Sequence, residues 1–399
     1  MQKTNKRSIY LILPVFILAA IICLLPIWGP KGLSPSIEPT FSNTPTGQTA
    51  PSFAGGTSLS DMAEAYLGAV ATVKVFQTNL DTQISFGSGV AIADGGYLVT
   101  NFHVISNVAT DPIRYSIKLT MTVNGILTED VPAALLWYNA NLDLAVLQSQ
   151  QNFDCFVDMS DRWINPAPNN KLRIAEEVWT LGTPADQNLW GSFSKGTISS
   201  NMFRVTTMEV ATETIITQSN IIQHNAAISS GSSGSGLFDA NGKLVAINCG
   251  GQNSTSSSSV NDIFFAIPIH PITLVIDKII EANEDENPLT NYRLPKLGVS
   301  AFDQNSYTLQ ANQISFSADG MLIVNIENNS PLLAKNIFVG DVIVGVGNEN
   351  CTGPTDPSYH KINLCHDLTY ALMHYNPGDK ITLYFQAGTQ TFDAVIQLL

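Results

Sequence analysis

Basic residues are scarce in this chain. Its 19 Lys and Arg stand against 33 Asp and Glu, a formal net charge of −14, and no stretch gathers the cations into a patch. Such a surface repels phosphate backbones, so nucleic acid is not an expected partner, whereas a protein or peptide substrate fits. Cysteines are also few, five in 399 residues. Cys351, His360, Cys365 and His366 have a spacing that matches no zinc module, and neither a metal nor another cofactor is expected. What the chain does have is 44% hydrophobic residues over a length sufficient for two or three packed domains, which excludes disorder throughout.

The segment Ile9–Trp28 is an uncharged, predominantly apolar run of the length that crosses a bilayer as a helix. Lys3, Lys6 and Arg7 precede it and only Lys31 follows closely, so residues 1–8 are expected in the cytoplasm and everything after residue 28 on the far side of the membrane. The rival reading, a cleaved signal peptide, calls for a shorter apolar core with a small-residue cleavage site soon afterwards. A lipoprotein would carry a small residue where Ile22 precedes Cys23. Residues 29–60, rich in Pro, Ser, Thr and Gly, read as a flexible tether. Beyond the membrane oxidation is permitted, and Cys351 with Cys365 is the expected disulfide, worth about 3 kcal/mol. Buried thiols are the other reading of Cys155, Cys249, Cys351 and Cys365.

From Asp61 a short helix to Val70 leads into many brief β-type runs, among them Thr72–Phe76, Tyr97–Thr100, Ser116–Val123, Glu177–Leu181 and Leu244–Asn248, punctuated by Gly, Pro, Asn and Asp. That pattern predicts β-barrels over residues 61–283 rather than a parallel α/β sheet. A helix near Ile272–Ala282 closes this domain, and residues 284–293 form a polar linker. Residues 294–399 have strands of their own (320–327, 341–346, 380–386, 391–398) and a helix near His366, enough for a small second domain.

Three places carry chemistry. Gly231-Ser232-Ser233-Gly234-Ser235-Gly236 lets the backbone bend sharply, so that the N–H groups of Gly231 and Ser233 converge beside the Ser233 hydroxyl, as a tetrahedral oxyanion requires. His103 directly follows the apolar strand Tyr97-Leu98-Val99-Thr100, a strand end from which an imidazole can act as base. Asp143 heads the apolar run Leu144-Ala145-Val146, where a carboxylate needs a hydrogen-bonding partner, and it is the candidate to orient His103. Each alone also has a plain structural reading: a flexible loop, a packed histidine, a turn aspartate.

Taken together, the order His103, Asp143, Ser233 resembles that of trypsin-like proteases, and Gly87-Ser88-Gly89-Val90, Gly96 through Val104, Leu142–Val146, Ala226–Leu237 and Phe265-Ala266-Ile267-Pro268 resemble the HtrA family. The resemblance runs from about Tyr66 to the C-terminus and implies a mainly β chymotrypsin-like double β-barrel followed by a small α+β PDZ domain behind an N-terminal transmembrane helix. It departs from the family at Ser232-Ser233-Gly234-Ser235, where Asn-Ser-Gly-Gly is usual, and at Asn225, where Asp is usual. Neither removes the nucleophile or an oxyanion N–H, but Ser235 adds a side chain just beyond the nucleophile, from which slower catalysis or a loop that needs activation is expected.

The resemblance further implies that the base of the substrate pocket is Ala227, which disfavours cleavage after Arg or Lys and favours a small or medium aliphatic residue. Asn248-Cys249-Gly250 would be the strand edge that pairs with substrate, although Cys249 also reads as simple packing. Lys296-Leu297-Gly298-Val299 would be the carboxylate-binding loop of the PDZ domain, where a C-terminal peptide adds a strand. Within the family the architecture is similar to the DegS type: a homotrimer, anchored in the inner membrane, acting in envelope stress response and protein quality control on unfolded or regulatory proteins. There, PDZ-bound tails are relayed through a loop, here near Asn201–Thr214, to the serine bend. The alternative is a non-proteolytic PDZ-based binding protein or chaperone.

Overall fold

The computed structural model describes residues 45–140, 142–160, 172–184, 187–209, 215–251, 263–284, 292–303, 315–316, 319–363 and 365–399, without the side chains of residues 187, 201–209, 215–220, 251, 365 and 366. Among the described residues no helix is long and apolar enough to cross a membrane, and the expected span Ile9–Trp28 lies outside them. Of the expected tether, residues 45–58 lack helix and strand but are held in place. Asp94 accepts hydrogen bonds from Thr46 Oγ1 (2.9 Å), Gly47 N (2.7 Å) and Gln48 N (3.1 Å), and Phe53 packs edge-on against Tyr66.

Helix α1 (Leu59–Tyr66) starts two residues earlier than its apolar pattern predicts, because Ser58 caps it by accepting from Asp61 N at 3.1 Å. Strands β1 (Val70–Gln77), β2 (Thr82–Ala93), β3 (Tyr97–Thr100), β4 (Tyr115–Val123), β5 (Ile126–Asn139) and β6 (Leu144–Ser149) close into a barrel in the order β1-β2-β3-β6-β5-β4. Between β3 and β4 lies helix α2 (Phe102–Thr110), so His103 stands in the first turn of a helix instead of at a bare strand end. A second barrel follows, with β7 (Glu177–Gly182), β8 (Ser192–Glu209), β9 (Ile215–His224), β10 (Gly236–Asp239), β11 (Leu244–Gly251) and β12 (Phe264–Pro268) in the order β10-β11-β12-β9-β8-β7. Closure leaves no long sheet edge exposed in either barrel.

Each barrel fills its interior with aliphatic side chains. Val73, Leu98, Leu119, Met121 and Leu147 are fully buried in the first, and Val178, Ile198, Ile222, Leu237, Val245 and Ala266 form the core of the second. Trp179 stacks on Phe238 with ring centroids 4.4 Å apart, and its indole N–H donates to Asp239 O at 2.9 Å, which satisfies the polar end of a buried ring. Helix α3 (His270–Glu284) closes this body and buries Ile272, Val275, Ile276 and Ile279 on one side.

Residues 293–399 belong to a second compact unit. Its strands β13 (Val299–Phe302), β14 (Met321–Ile326), β15 (Val342–Asn348), β17 (Lys380–Ala387) and β18 (Gln390–Gln397) lie in the order β13-β14-β15-β17-β18, with the short β16 (His360–Lys361) on β15 and helix α4 at Cys365–Met373. Ile323, Ile343, Ile381, Leu383, Phe385 and Ile396 are its buried centre. The expected Cys351–Cys365 disulfide is not made, since Cys351 carries a free thiol. Its sulfur occupies the place a side chain would take on Gly347 and is directed to Gly353 O at 3.9 Å.

Candidate active site

Asp143 has a φ of +52°, the left-handed conformation that aspartate tolerates better than most side chains, and it is completely buried. This turn aims the carboxylate at helix α2. Oδ1 accepts from His103 N at 2.8 Å and Oδ2 lies 2.7 Å from His103 Nδ1. The same residue's carbonyl accepts from Phe102 N (3.2 Å) and Asn101 Nδ2 (3.0 Å), so the helix start and the aspartate turn hold one another. Burial opposes charge on the His103 ring, but the Asp143 charge and hydrogen bond outweigh it and raise the imidazole above its ordinary value. With 22% of its side chain exposed, the ring remains accessible from solvent.

Ser233 lies between β9 and β10, and hydrogen bonds hold the backbone on both sides of it. Ser232 N donates to Ser229 O (2.9 Å), Gly234 N to Asn248 O (2.8 Å), and Ser235 N to Ser232 O (2.9 Å). Ser88 anchors the loop from the first barrel: its N–H donates to Ser233 O at 2.7 Å and its hydroxyl to Gly231 O at 2.8 Å, while that hydroxyl accepts from Thr183 N at 2.9 Å. Gly231 and Gly234 both have φ of +92°, and a Cβ on Gly231 would fall 2.5 Å from Thr183 O, while one on Gly234 would collide with Ser88 O. Within Gly231–Ser235, two donors are left over. Among the described residues, the N–H groups of Gly231 and Ser233 have no hydrogen-bond partner, as an oxyanion site requires.

Of the expected pocket residues, Ala227 is exposed and borders a small cavity of about 50 Å³ together with Thr180, Phe193, Ser232 and Ser235. Asn248 is buried, and its amide N–H groups are taken by Thr180 Oγ1 (2.7 Å) and Ser235 Oγ (2.9 Å). Cys249 is buried with its sulfur toward Phe265 O at 3.5 Å, which is the packing reading. Strand β11 pairs with β10 only as far as Ile247 but with β12 through Gly251, so on the β10 side Gly250 has no strand partner among the described residues. The side chains of Asn201–Thr214, expected to relay peptide binding, lie outside the described residues. No group of three or more His, Cys, Asp or Glu side chains among the described residues is placed to hold a metal ion.

Residues 87–247 match the family model of the trypsin-like peptidase domain. The chain is 27% identical to the serine protease Do-like HtrA of Lactococcus lactis over 317 residues, 77% of this chain and 70% of that protein. It is 30% identical to a probable periplasmic DegP-like serine endoprotease of Bartonella henselae over 301 residues (75% and 50%), and 28% identical to the serine endoprotease DegS of Haemophilus influenzae over 268 (66% of each). The chain is an HtrA-family serine endopeptidase. The fold agrees with solved structures: the HtrA-type protease AlgW with a decapeptide aligns over 86% of this chain and 98% of that one (TM-score 0.55, 20% identity), and the serine endoprotease from Yersinia pestis over 86% and 97% (TM-score 0.52, 22% identity).

Both departures from the family pattern have a place in this protease. Asn225 Oδ1 accepts from Thr197 N at 2.7 Å, an acceptor function that an amide oxygen fulfils as a carboxylate would. The Ser235 side chain is buried and hydrogen-bonded rather than projecting toward substrate. Two residues escaped sequence reasoning. The role of Ser88 was hidden inside a Gly-Ser-Gly triplet whose contacts are 95 and 143 positions away. His224, wholly buried at the end of β9 with neither ring nitrogen in hydrogen-bond geometry, has its pKa pushed down by burial to about 4.

Proposed function

We propose that His103, Asp143 and Ser233 are the catalytic triad and that Gly231 N–H and Ser233 N–H form the oxyanion site of a membrane-anchored envelope protease. The observation that carries this reading is the pair of N–H groups at Gly231 and Ser233 without partners among the described residues, in a bend whose Ser232, Gly234 and Ser235 N–H groups are all taken; the Asp143-held imidazole of His103 supports it as the base. In the reaction, Ser233 Oγ adds to the scissile carbonyl carbon while its proton passes to His103 Nε2 and the carbonyl electron pair moves onto oxygen, facing the two N–H groups. Collapse expels the amine, which takes the proton from His103, and water repeats the sequence to release the acid. Asp143 keeps the imidazole in the tautomer with Nδ1 protonated.

Substrates are proposed to be unfolded or regulatory envelope proteins cleaved after small or medium aliphatic residues, with Ala227 at the pocket and the Asn248–Gly250 edge pairing with the substrate backbone. The unpartnered side of β11 at Gly250 supports the last assignment. Residues 294–399 are proposed to act as a PDZ domain that captures C-terminal peptides at Lys296–Val299. In support, Gly298 has φ +64°, Ser330 Oγ donates to Leu297 O at 2.6 Å to fix the loop, and among the described residues β13 is the outer strand of its sheet, where a strand could be added. A homotrimer tethered by residues 9–28, with the protease and PDZ domains on the periplasmic side, completes the proposal.

The test uses the full chain in detergent, wild type against Ser233→Ala, on an unfolded protein with and without peptides ending in apolar residues. Cleavage that disappears in the variant and rises with peptide is the expected result. A wild type that binds peptide but never cleaves would return the reading to a binding protein.

A further inference from the structure

Ser235 stands where the family motif has its second glycine after the nucleophile, and the fold makes room for it. A Cβ placed on Gly182 would lie 2.6 Å from Ser235 Cβ, so the serine side chain fits only because its neighbour has none. The hydroxyl donates to Ser232 O at 2.7 Å and accepts from Asn248 Nδ2 at 2.9 Å; Asn248 Nδ2 also donates to Thr180 Oγ1 at 2.7 Å, itself 3.3 Å from Ser235 Oγ. Thr180, Ser235 and Asn248 are 4%, 1% and 0% exposed, so these bonds are shielded from bulk solvent.

The Ser232 carbonyl therefore accepts twice, from Ser235 N at 2.9 Å and from Ser235 Oγ. That carbonyl belongs to the same peptide unit as the N–H of Ser233. An amide whose oxygen is held by two donors has its plane fixed and its N–H polarised, because hydrogen bonds in a chain strengthen one another in a low dielectric. We propose that Ser235 is a positioning residue for catalysis: through the Ser232 carbonyl it orients and strengthens the Ser233 N–H as an oxyanion donor, with Asn248 and Thr180 fixing the direction of its hydroxyl. The inference rests on the triad reading above and makes the substitution an added support for the oxyanion site, not a defect.

The experiment compares the full chain with Ser235→Ala and Ser235→Gly in detergent, using a fluorogenic peptide, a peptide aldehyde and the matching peptide alcohol. Ser233 adds to the aldehyde carbon and places the new oxyanion against the two N–H groups, whereas the alcohol forms no adduct. Since a donor is weakened and not removed, kcat should fall about tenfold with KM within about twofold. Aldehyde affinity should fall by the same factor, and alcohol affinity should stay constant. A fluorophosphonate that labels Ser233 counts competent sites, and labelling per mole should match wild type, which separates slower sites from misfolded ones. If Ser235→Ala does not fold, Ser235→Gly, which carries the family's own residue, supplies the comparison. Unchanged kcat, or a loss shared equally by KM and the alcohol, overturns the role of Ser235 while leaving the triad intact. A wild type that neither labels at Ser233 nor cleaves overturns both.

Discussion

Asp143 reaches His103 twice, at the ring and at the backbone, and both contacts come from a carboxylate with no access to water. Asp143→Asn should keep the backbone bond but favour the wrong tautomer, lowering kcat by about 10⁴ at neutral pH, while Ser233→Ala should remove all but about 10⁻⁶ of it. The pH dependence separates charge from geometry. His103 must be neutral to accept the serine proton, and because Asp143 raises its pKa, the acid limb of kcat/KM should lie above the ordinary value of about 6.5. In Asp143→Asn only the opposing effect of burial remains, so the limb should move below that value. A pH–rate profile of both proteins decides it, and an unmoved limb would mean that Asp143 does not set the charge of His103. The linkage to stability has the matching sign: a raised folded pKa contributes stability that is fully present below about pH 6.5 and is lost as pH rises through the folded value.

At the level of elements, β9 and the serine loop bring a cost with them. His224 pairs with Phe264 of β12 and packs its ring 6.0 Å from that phenyl, in an interior that opposes protonation and holds its pKa at about 4. The unfolded chain takes up this proton near pH 6.5, so between pH 6.5 and 4 the unfolded state binds more protons and stability falls with pH, by at most roughly 3 kcal/mol. Denaturant melts of wild type and His224→Gln at pH 7 and pH 4.5 should show a shallower acid loss in the variant; equal losses would place the acid sensitivity elsewhere. Ser88→Ala tests the other side of the loop. It frees both Gly231 O and Thr183 N in a buried site, and a loss of about 2 kcal/mol with reduced kcat is expected in the same melts and assays.

The strands that sequence periodicity finds are those with unbroken apolar runs, such as Leu144–Ser149 and Tyr97–Thr100. It passes over β5, whose Glu129, Asp130 and Pro132 look like a turn although the strand pairs on both sides with β4 and β6. Of the proposed triad, His103 and Asp143 stand out because each adjoins such a strand and Ser233 because of its Gly/Ser run, whereas Ser88, Thr180 and Thr183 do not, since their partners lie in the other barrel or on distant strands and no local pattern marks them.

For the whole molecule, the open question is whether the 293–399 unit governs the protease. The left-handed Gly298 sits where a Cβ would come within 3.0 Å of Ser330 Cβ and 3.1 Å of its Cα, so Gly298→Val should distort the Lys296–Val299 loop, which belongs to a different compact unit from His103, Asp143 and Ser233. If peptide capture there activates cleavage, the variant should bind a fluorescent C-terminal peptide at least tenfold more weakly and lose the peptide-dependent increase in kcat. Its cleavage without peptide should equal that of wild type. A variant that binds poorly yet is still activated would place the activating peptide elsewhere. One that binds poorly while wild type shows no activation at all would mean that the serine loop is already set, as its dense pairing through Ser88, Asn248 and Ser235 allows.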